Sequence, residues 1–144
     1  MGTTRGWRRW PGPIALACLV AVVLSGCAPQ VIGDEYDAPG PGVRSDGSID
    51  TRPAVGWVEP GARFFVTTYG SSSCPTAPTA VTTTDDGRGL DVALRRTGGN
   101  ACTADLGPAS YALDLPEGFR PRQAVVVSLH FADDDRVVRR TLRR

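Results

Sequence analysis

The chain is predicted to be all-β, with a folded part that forms an antiparallel, Ig-like β-sandwich of about seven short strands. Three observations predict it. From residue 54 onward, short runs of β-branched and aromatic residues alternate with turn residues. Several of these runs alternate apolar and polar residues with a period of two, as half-buried strands do. No stretch has the apolar spacing of an amphipathic helix of three turns. A small β-barrel is the alternative architecture.

The composition limits the possible classes of function before any motif is considered. A chain of 144 residues has room for one domain, and 41% apolar with 22% charged residues is ordinary for a globular protein. All 16 basic residues are arginines, and the formal net charge is only +1. So small a charge argues against a nucleic-acid partner.

The N-terminal residues have the pattern of an export signal. Arg5, Arg8 and Arg9 precede an apolar run of 11 residues over 14–24. That run is far shorter than the ~20 residues that cross a bilayer as a helix, so it is predicted to be the core of a signal peptide. The run ends in Leu24-Ser25-Gly26-Cys27, which resembles the lipobox of bacterial lipoproteins.

The lipobox resemblance implies a processed and lipidated protein. Residues 1–26 would be removed as a signal peptide, and the Cys27 thiol would carry a diacylglyceryl group as a thioether. Because one acyl chain holds a protein only marginally and two hold it stably, the predicted location is the extracytoplasmic face of the cell membrane. An ordinary secreted protein is the alternative. A twin-arginine signal at Arg8-Arg9 fits poorly beside Trp7 and Trp10.

Residues 27–53 are predicted to be a flexible linker between the lipid and the domain. They are rich in proline and glycine and have no period of 2 or 3.6. A flexible chain of this length spans about 25–30 Å, which would hold the domain clear of the headgroups. The alternative is that Val31, Ile32 and Tyr36 form a short strand against the domain.

The β domain is predicted to occupy residues 54–144. Its clearest strand is Ala124–Phe131, in which Val125, Val127, Leu129 and Phe131 share one face. The Asp133-Asp134-Asp135 turn should return this strand to a hairpin partner. The other strands are predicted at 63–69, 79–84, 90–95, 110–115 and 136–142.

A modest core is expected for about 90 residues. Trp57 is a candidate plug at a sheet edge or in the core. The predicted core consists of Phe64, Phe65, Val66, Leu90, Val92, Leu94, Leu113, Leu115, Val125, Val127, Leu129 and Phe131.

Cys74 and Cys102 are predicted to form a disulfide. Cys18 lies in the leader and Cys27 is assigned to lipid, which leaves an even pair in an oxidising compartment. Ser71, Ser72 and Ser73 before Cys74 are then turn residues whose hydroxyls satisfy backbone groups.

No catalytic residue, metal site or cofactor is predicted. A serine nucleophile needs an oriented base, and the single histidine, His130, lies opposite the main apolar face of its strand. Cys74, Cys102 and His130 lack the short spacing of metal ligands, and the two cysteines do not form a Cys-x-x-Cys redox motif. Asp133–Asp135 has no EF-hand spacing, so a solvated turn is preferred to calcium binding.

The segments "SSSCP" and "ACTADLGP" resemble small lipoproteins and secreted proteins of high-GC Gram-positive bacteria. The resemblance implies export and the disulfide, and no activity. We therefore expect a binding or accessory module of the envelope, with a protein or glycan as its partner. A surface hydrolase and a structural subunit without a ligand are the alternatives. The loops 71–73, 85–89 and 103–108 are the candidate contact regions.

Overall fold

The structure is a computed structural model that describes Gly2 and residues 30–121 and 124–143. Apart from Gly2, the predicted signal peptide and Cys27 lie outside the described residues. Among the described residues, no helix has the length and apolar character needed to cross a membrane.

The described residues form eight strands and no helix, in two four-stranded sheets, so the predicted sandwich is confirmed. One sheet has the order β1-β6-β3-β2 and the other β4-β5-β7-β8. The eighth strand is the two-residue β1, which precedes the predicted domain boundary. The strands are β1 Asp34–Glu35, β2 Ala54–Glu59, β3 Arg63–Gly70, β4 Thr76–Thr83, β5 Gly89–Arg96, β6 Gly107–Asp114, β7 Ala124–Phe131 and β8 Arg136–Arg143.

All strand pairs are antiparallel except one. β5 and β7 pair in parallel, with Leu90 opposite Val127 and Leu94 opposite Phe131. The prediction of a wholly antiparallel sandwich is therefore wrong for this pair. The cause is that β6 lies between them in the chain but belongs to the other sheet, so the chain returns for β7 in the direction of β5. The turn at Gly98-Gly99-Asn100 is accordingly a crossover between sheets.

The core lies between the sheets and contains ten of the predicted residues. Phe65 is an error, because Phe64 and Val66 point inward and strand alternation turns the ring between them outward. Leu115 and Trp57 are only partly buried against the core. Phe119, in the β6–β7 connection, and Leu142, in β8, are buried core residues that the pattern did not indicate.

Residues 31–36, here called the docked segment, join the open edges of the two sheets. The Ile32 N–H donates to the Pro78 carbonyl of β4 at 2.9 Å, and the Tyr36 N–H donates to the Ser110 carbonyl of β6 at 3.0 Å. The Ile32 side chain packs against the core. Residues 31–36 of the predicted linker therefore contact the domain, as the alternative expected, but the strand consists of Asp34 and Glu35, and Val31, Ile32 and Tyr36 flank it.

Glycine is required within the docked segment. Gly33 has φ +80°, which L side chains rarely adopt. A Cβ here would also collide with the Ala112 carbonyl and lie 2.6 Å from Leu113 Cδ2. The absence of a side chain lets the chain lie flat against β6, which is a tertiary requirement that local composition does not reveal.

The chain between the docked segment and β2 is a local loop. An isolated antiparallel bridge joins Val43 and Ile49. Asp50 pairs with Arg52 at 2.5 Å. The Arg140 Nε of β8 donates to the Pro53 carbonyl at 2.7 Å, which connects the start of β2 to the other sheet.

The loops lie at two ends of the sandwich, here called the disulfide end and the opposite end. The disulfide end contains the loops 71–75 and 97–106 and the turn 132–135. The opposite end contains the turns 60–62 and 84–88 and the segment 115–121. Because β6 pairs Gly107 with Gly70 and Asp114 with Arg63, it runs from the first end to the second.

Candidate functional site

The disulfide joins two of the loops by which the chain passes between the sheets, both at the same end of the sandwich. Cys74 lies in the β3–β4 loop and Cys102 in the β5–β6 loop, 28 residues apart. The predicted pairing is present, with a Cα–Cα distance of 5.4 Å that is ordinary for a disulfide. Cys74 is buried, at 2% exposure. The bridge therefore fixes both crossovers at one end of the sandwich.

Three hydroxyl groups form a small cluster beside the bridge. Ser71 Oγ lies 2.9 Å from Thr103 Oγ1, and Ser73 Oγ lies 3.1 Å from the same atom. The Thr103 backbone N–H donates to Ser73 Oγ at 2.9 Å. The serine hydroxyls therefore form hydrogen bonds with the β5–β6 loop. Their role goes beyond the expected local turn, because they contact a loop that lies 30 residues away in the sequence.

Asp105 completes this cluster as its charged acceptor. Its carboxylate accepts the Ser72 backbone N–H at 3.2 and 3.3 Å, and also accepts the Thr103 hydroxyl. Hydrogen bonds from Ser72 and then Thr103 lower the pKa of Asp105 from 3.8 to about 2. Asp105 is thus ionised throughout the neutral range and serves to connect the two loops.

A cleft lined by both polar and apolar groups opens next to the cluster, with a volume of about 440 Å³. The docked segment forms one wall, and the start of β6 and the end of β3 form the others. The Tyr36 ring stacks on Phe65 with a centroid distance of 5.5 Å, which fixes the aromatic part of this wall. The lining residues are Glu35, Tyr36, Asp37, Gly70, Ser71, Ser72, Pro75, Gly107, Pro108, Ala109, Ser110 and Tyr111.

The cleft has the chemistry of a binding surface for polar groups. Carboxylates of Glu35 and Asp37, hydroxyls of Ser71 and Ser110, and a tyrosine ring line one opening. Burial, followed by the charge of Glu35, raises the pKa of Tyr111, so its phenol stays protonated at neutral pH. Such a set accepts hydrogen bonds from hydroxyl or amino groups of a ligand.

His130 lies elsewhere, on the outer face of the second sheet. Its Nε2 lies 2.9 Å from Asp91 Oδ1, and the two side chains are 46% and 36% exposed. No serine or threonine hydroxyl among the described residues is within hydrogen-bond distance of His130. The arrangement is an exposed pair and does not contain a base aimed at a nucleophile.

Two of the three aspartates of the β7–β8 turn accept hydrogen bonds from backbone N–H groups. Asp133 accepts the Arg96 backbone N–H at 3.0 Å, and Asp134 accepts that of Arg136 at 3.2 Å. Arg136 also lies over the Phe131 ring, 4.2 Å from its centroid. Within the ranges that the structure describes, no group of three or more metal-ligating side chains converges.

The candidate loops separate into two groups. The loops 71–73 and 103–108 meet at the disulfide end, whereas 85–89 lies at the opposite end. Sequence reasoning missed Glu35, Tyr36 and Asp37, which were assigned to the linker. The signal was the run of Val31, Ile32 and Tyr36 within an otherwise proline- and glycine-rich stretch.

No family model matches the chain, and comparison with curated proteins and with solved structures gives no significant match. The proposals below therefore depend on the leader sequence, the fold and the chemistry at the disulfide end.

Proposed function

We propose that the protein is a lipoprotein of the cell envelope, anchored by Cys27 at the extracytoplasmic face of the membrane, that presents its sandwich as a binding or accessory module. The observation that carries the proposal is the Cys74–Cys102 bridge downstream of a lipobox-type leader. Structural disulfides persist in oxidising compartments and are rare in the cytosol. The bridge and the leader therefore favour the same side of the membrane.

The cleft at the disulfide end supports a binding role. It is concave and bordered by two carboxylates and a stacked tyrosine. The bridge and the Asp105 hydrogen bonds fix the loops around it before any ligand arrives. Preorganised loops lose little conformational freedom on binding, which favours affinity. A glycan or a protein segment of the envelope presents the hydroxyl and amino groups that this surface accepts.

The two alternative functions, a surface hydrolase and a structural subunit without a ligand, require different features of the chain. A surface hydrolase needs a nucleophile with an oriented base, and the His130–Asp91 pair contacts no hydroxyl among the described residues. A purely structural subunit has no need of a cleft with convergent polar groups. These observations favour a binding module that is not an enzyme.

The anchor is tested by Cys27→Ala in the full-length chain expressed in its own type of host. The variant should leave the membrane fraction, or accumulate with its leader uncleaved, and should lose incorporation of a labelled fatty acid. Cys18→Ala is the matched control, because Cys18 is the other leader cysteine and should be dispensable. Unchanged partitioning and labelling of Cys27→Ala would refute the anchor.

The binding role is tested by changing the cleft while keeping the fold. Crosslinking in intact cells and co-sedimentation with purified wall polysaccharide would compare wild type with Glu35→Gln/Asp37→Asn. The control is Asp85→Asn/Asp86→Asn, which changes as much charge at the opposite end. Capture by wild type and by the control, with loss in the cleft variant, supports the proposal. Equal capture by all three places the contact elsewhere.

A further inference from the structure

We propose that a second cleft, where β2, β3 and β8 meet, binds an anionic oxygen group, a phosphate or a carboxylate, through Arg140. This basic cleft has a volume of about 430 Å³, and its lining residues include Asp50, Arg52, Thr67, Tyr69 and Arg140. It shares no lining residue with the cleft at the disulfide end. The inference therefore goes beyond the proposed binding role and does not depend on it.

Arg140 occupies a position of β8 that faces the core. It lies opposite Val127, which is fully buried, and Val138 and Leu142 on the same face of β8 pack in the core. A charged side chain at such a position loses hydration, which is costly unless an opposite charge replaces it. Among the described residues, no carboxylate lies within ion-pair distance of Arg140. Its partly buried charge is therefore not neutralised within this part of the chain.

Two hydrogen bonds hold the Arg140 guanidinium in place without neutralising it. Nε donates to the Pro53 carbonyl at 2.7 Å, and Nη1 donates to the Arg139 carbonyl at 2.9 Å. Both acceptors are uncharged, and Nη2 has no acceptor among the described residues. A guanidinium has five N–H donors, and its planar fork matches the oxygens of a carboxylate or a phosphate. The remaining donors are therefore fixed in orientation at the wall of the basic cleft.

The other two charges of the basic cleft cancel each other. Arg52 forms a bidentate pair with Asp50, with Nε 2.8 Å from Oδ1 and Nη2 2.5 Å from Oδ2. Hydrogen bonds from Arg52 hold the pKa of Asp50 well below its ordinary value, so this carboxylate stays ionised and paired. Among the lining residues, all of which are described, Arg140 is left as the net positive charge.

Tyr69 supplies an uncharged donor to the same cleft. It lies two positions after Thr67 on the outer face of β3 and lines the basic cleft. Burial, followed by the charge of Asp50, raises the pKa of Tyr69, so the phenol stays protonated at neutral pH. A fixed cation together with a phenolic O–H favours anionic oxygen as the ligand.

The test follows anion binding by NMR in the purified full-length protein in a non-ionic detergent. Inorganic phosphate and acetate are titrated separately, with chloride at equal ionic strength as the reference. The backbone amides of Ala54, Tyr69 and Arg140 should shift with phosphate or acetate, and those of Ser71 and Thr103 should not. Absence of these shifts with both anions would overturn the proposal.

Two adjacent arginines provide the matched comparison. Arg140→Gln and Arg139→Gln remove the same charge, but Arg139 is exposed on the other face of β8. Arg140→Gln should weaken binding about tenfold or more, the loss expected for one charge-assisted hydrogen bond, whereas Arg139→Gln should leave it nearly unchanged. Equal weakening would mean that surface charge alone attracts the anion, and would overturn the site.

Arg140→Lys replaces Arg140→Gln if the latter does not fold. It keeps the charge but loses the planar fork, so binding should weaken several-fold, and wild-type affinity would overturn the proposal. Phosphatidylglycerol added to the micelles identifies the source of the anion. Shifts at the same amides indicate a lipid headgroup. A response to inorganic phosphate or acetate alone indicates a soluble or wall-borne ligand.

Discussion

Ile32 in the docked segment donates its backbone N–H to the carbonyl of Pro78 at 2.9 Å, although 46 positions separate them in the numbering of the chain. The bond joins a residue beside β6 in one sheet to an edge strand of the other. It shows that the N-terminal part of the described chain belongs to the sandwich. The position of the cleft wall that Glu35 and Tyr36 form follows from this contact.

Substitution of Gly33 should release the docked segment. Gly33 and Gly47 share φ +80°, but a Cβ meets β6 only at Gly33 and nothing within 4 Å at Gly47. The left-handed conformation costs an alanine about 1–2 kcal/mol at either site. Gly33→Ala should therefore lower the free energy of unfolding clearly more than Gly47→Ala does. Urea titrations of the protein without its leader, with the docked segment kept, measure this difference. Equal losses would mean that the contact with β6 contributes nothing.

Removal of the disulfide should destabilise the domain without changing its fold. The bridge closes a loop of 28 residues, for which the chain-entropy model gives about 3.5 kcal/mol. For a domain of this size, that loss lowers the Tm by roughly 15 °C. Cys74→Ser/Cys102→Ser should show this shift by circular dichroism, and reduced wild type should match it. A melting curve equal to that of oxidised wild type would show that the bridge is dispensable.

Asp105 should contribute to stability in a defined pH window. Its folded pKa of about 2 lies below the ordinary 3.8, so the carboxylate stabilises the fold above about pH 4, and the contribution disappears as pH falls toward 2. Asp105→Asn should be less stable than wild type at pH 7, and the difference should shrink through this window in urea midpoints. Asp85→Asn, in an exposed turn, is the control. A difference that is independent of pH would contradict the charged role.

The inward face of β8 and the outward face of β3 can be tested together. Leu142 is 1% exposed in the core, whereas Phe65 lies on the outer face of β3. Leu142→Ala should cost about 2–5 kcal/mol, as large-to-small core changes do. Phe65→Ala, although it removes a larger side chain, should cost less, because its partly buried ring lies on the outer face, against Tyr36 and over Gly56. The reverse order would contradict the assignment of faces.

The parts of the fold that were predictable depend on local pattern. Alternation in β7 identified Val125, Val127 and Leu129 as core residues, and the strand bounds there agree fully. The position of the docked segment could not be predicted from the sequence. A strand of two residues is too short to show a period, and Gly33 contacts residues that lie far along the chain. The parallel pairing of β5 and β7 likewise depends on which turns are crossovers, which composition does not specify.

One part of the candidate site, the loops at the disulfide end, was predictable from the sequence, and the part in the docked segment was not. The hydroxyls and cysteines of the disulfide end were recognisable as turn chemistry around a bridge, and the two loops meet there. Glu35, Tyr36 and Asp37 were not recognisable, because surrounding prolines and glycines are typical of linkers. Their placement follows from the burial of the Ile32 side chain against the core. The core residues that it contacts lie far along the chain, so the local sequence does not reveal this contact.

The account depends most on two claims about the exported chain. Cys27 carries lipid, and a disulfide joins Cys74 and Cys102. Mass spectrometry of the protein purified from native membranes without reduction tests both at once. We predict a chain that begins at Cys27 and carries a diacylglyceryl group, together with a peptide pair joined through Cys74 and Cys102. An unmodified Cys27, or free thiols at positions 74 and 102, would contradict it.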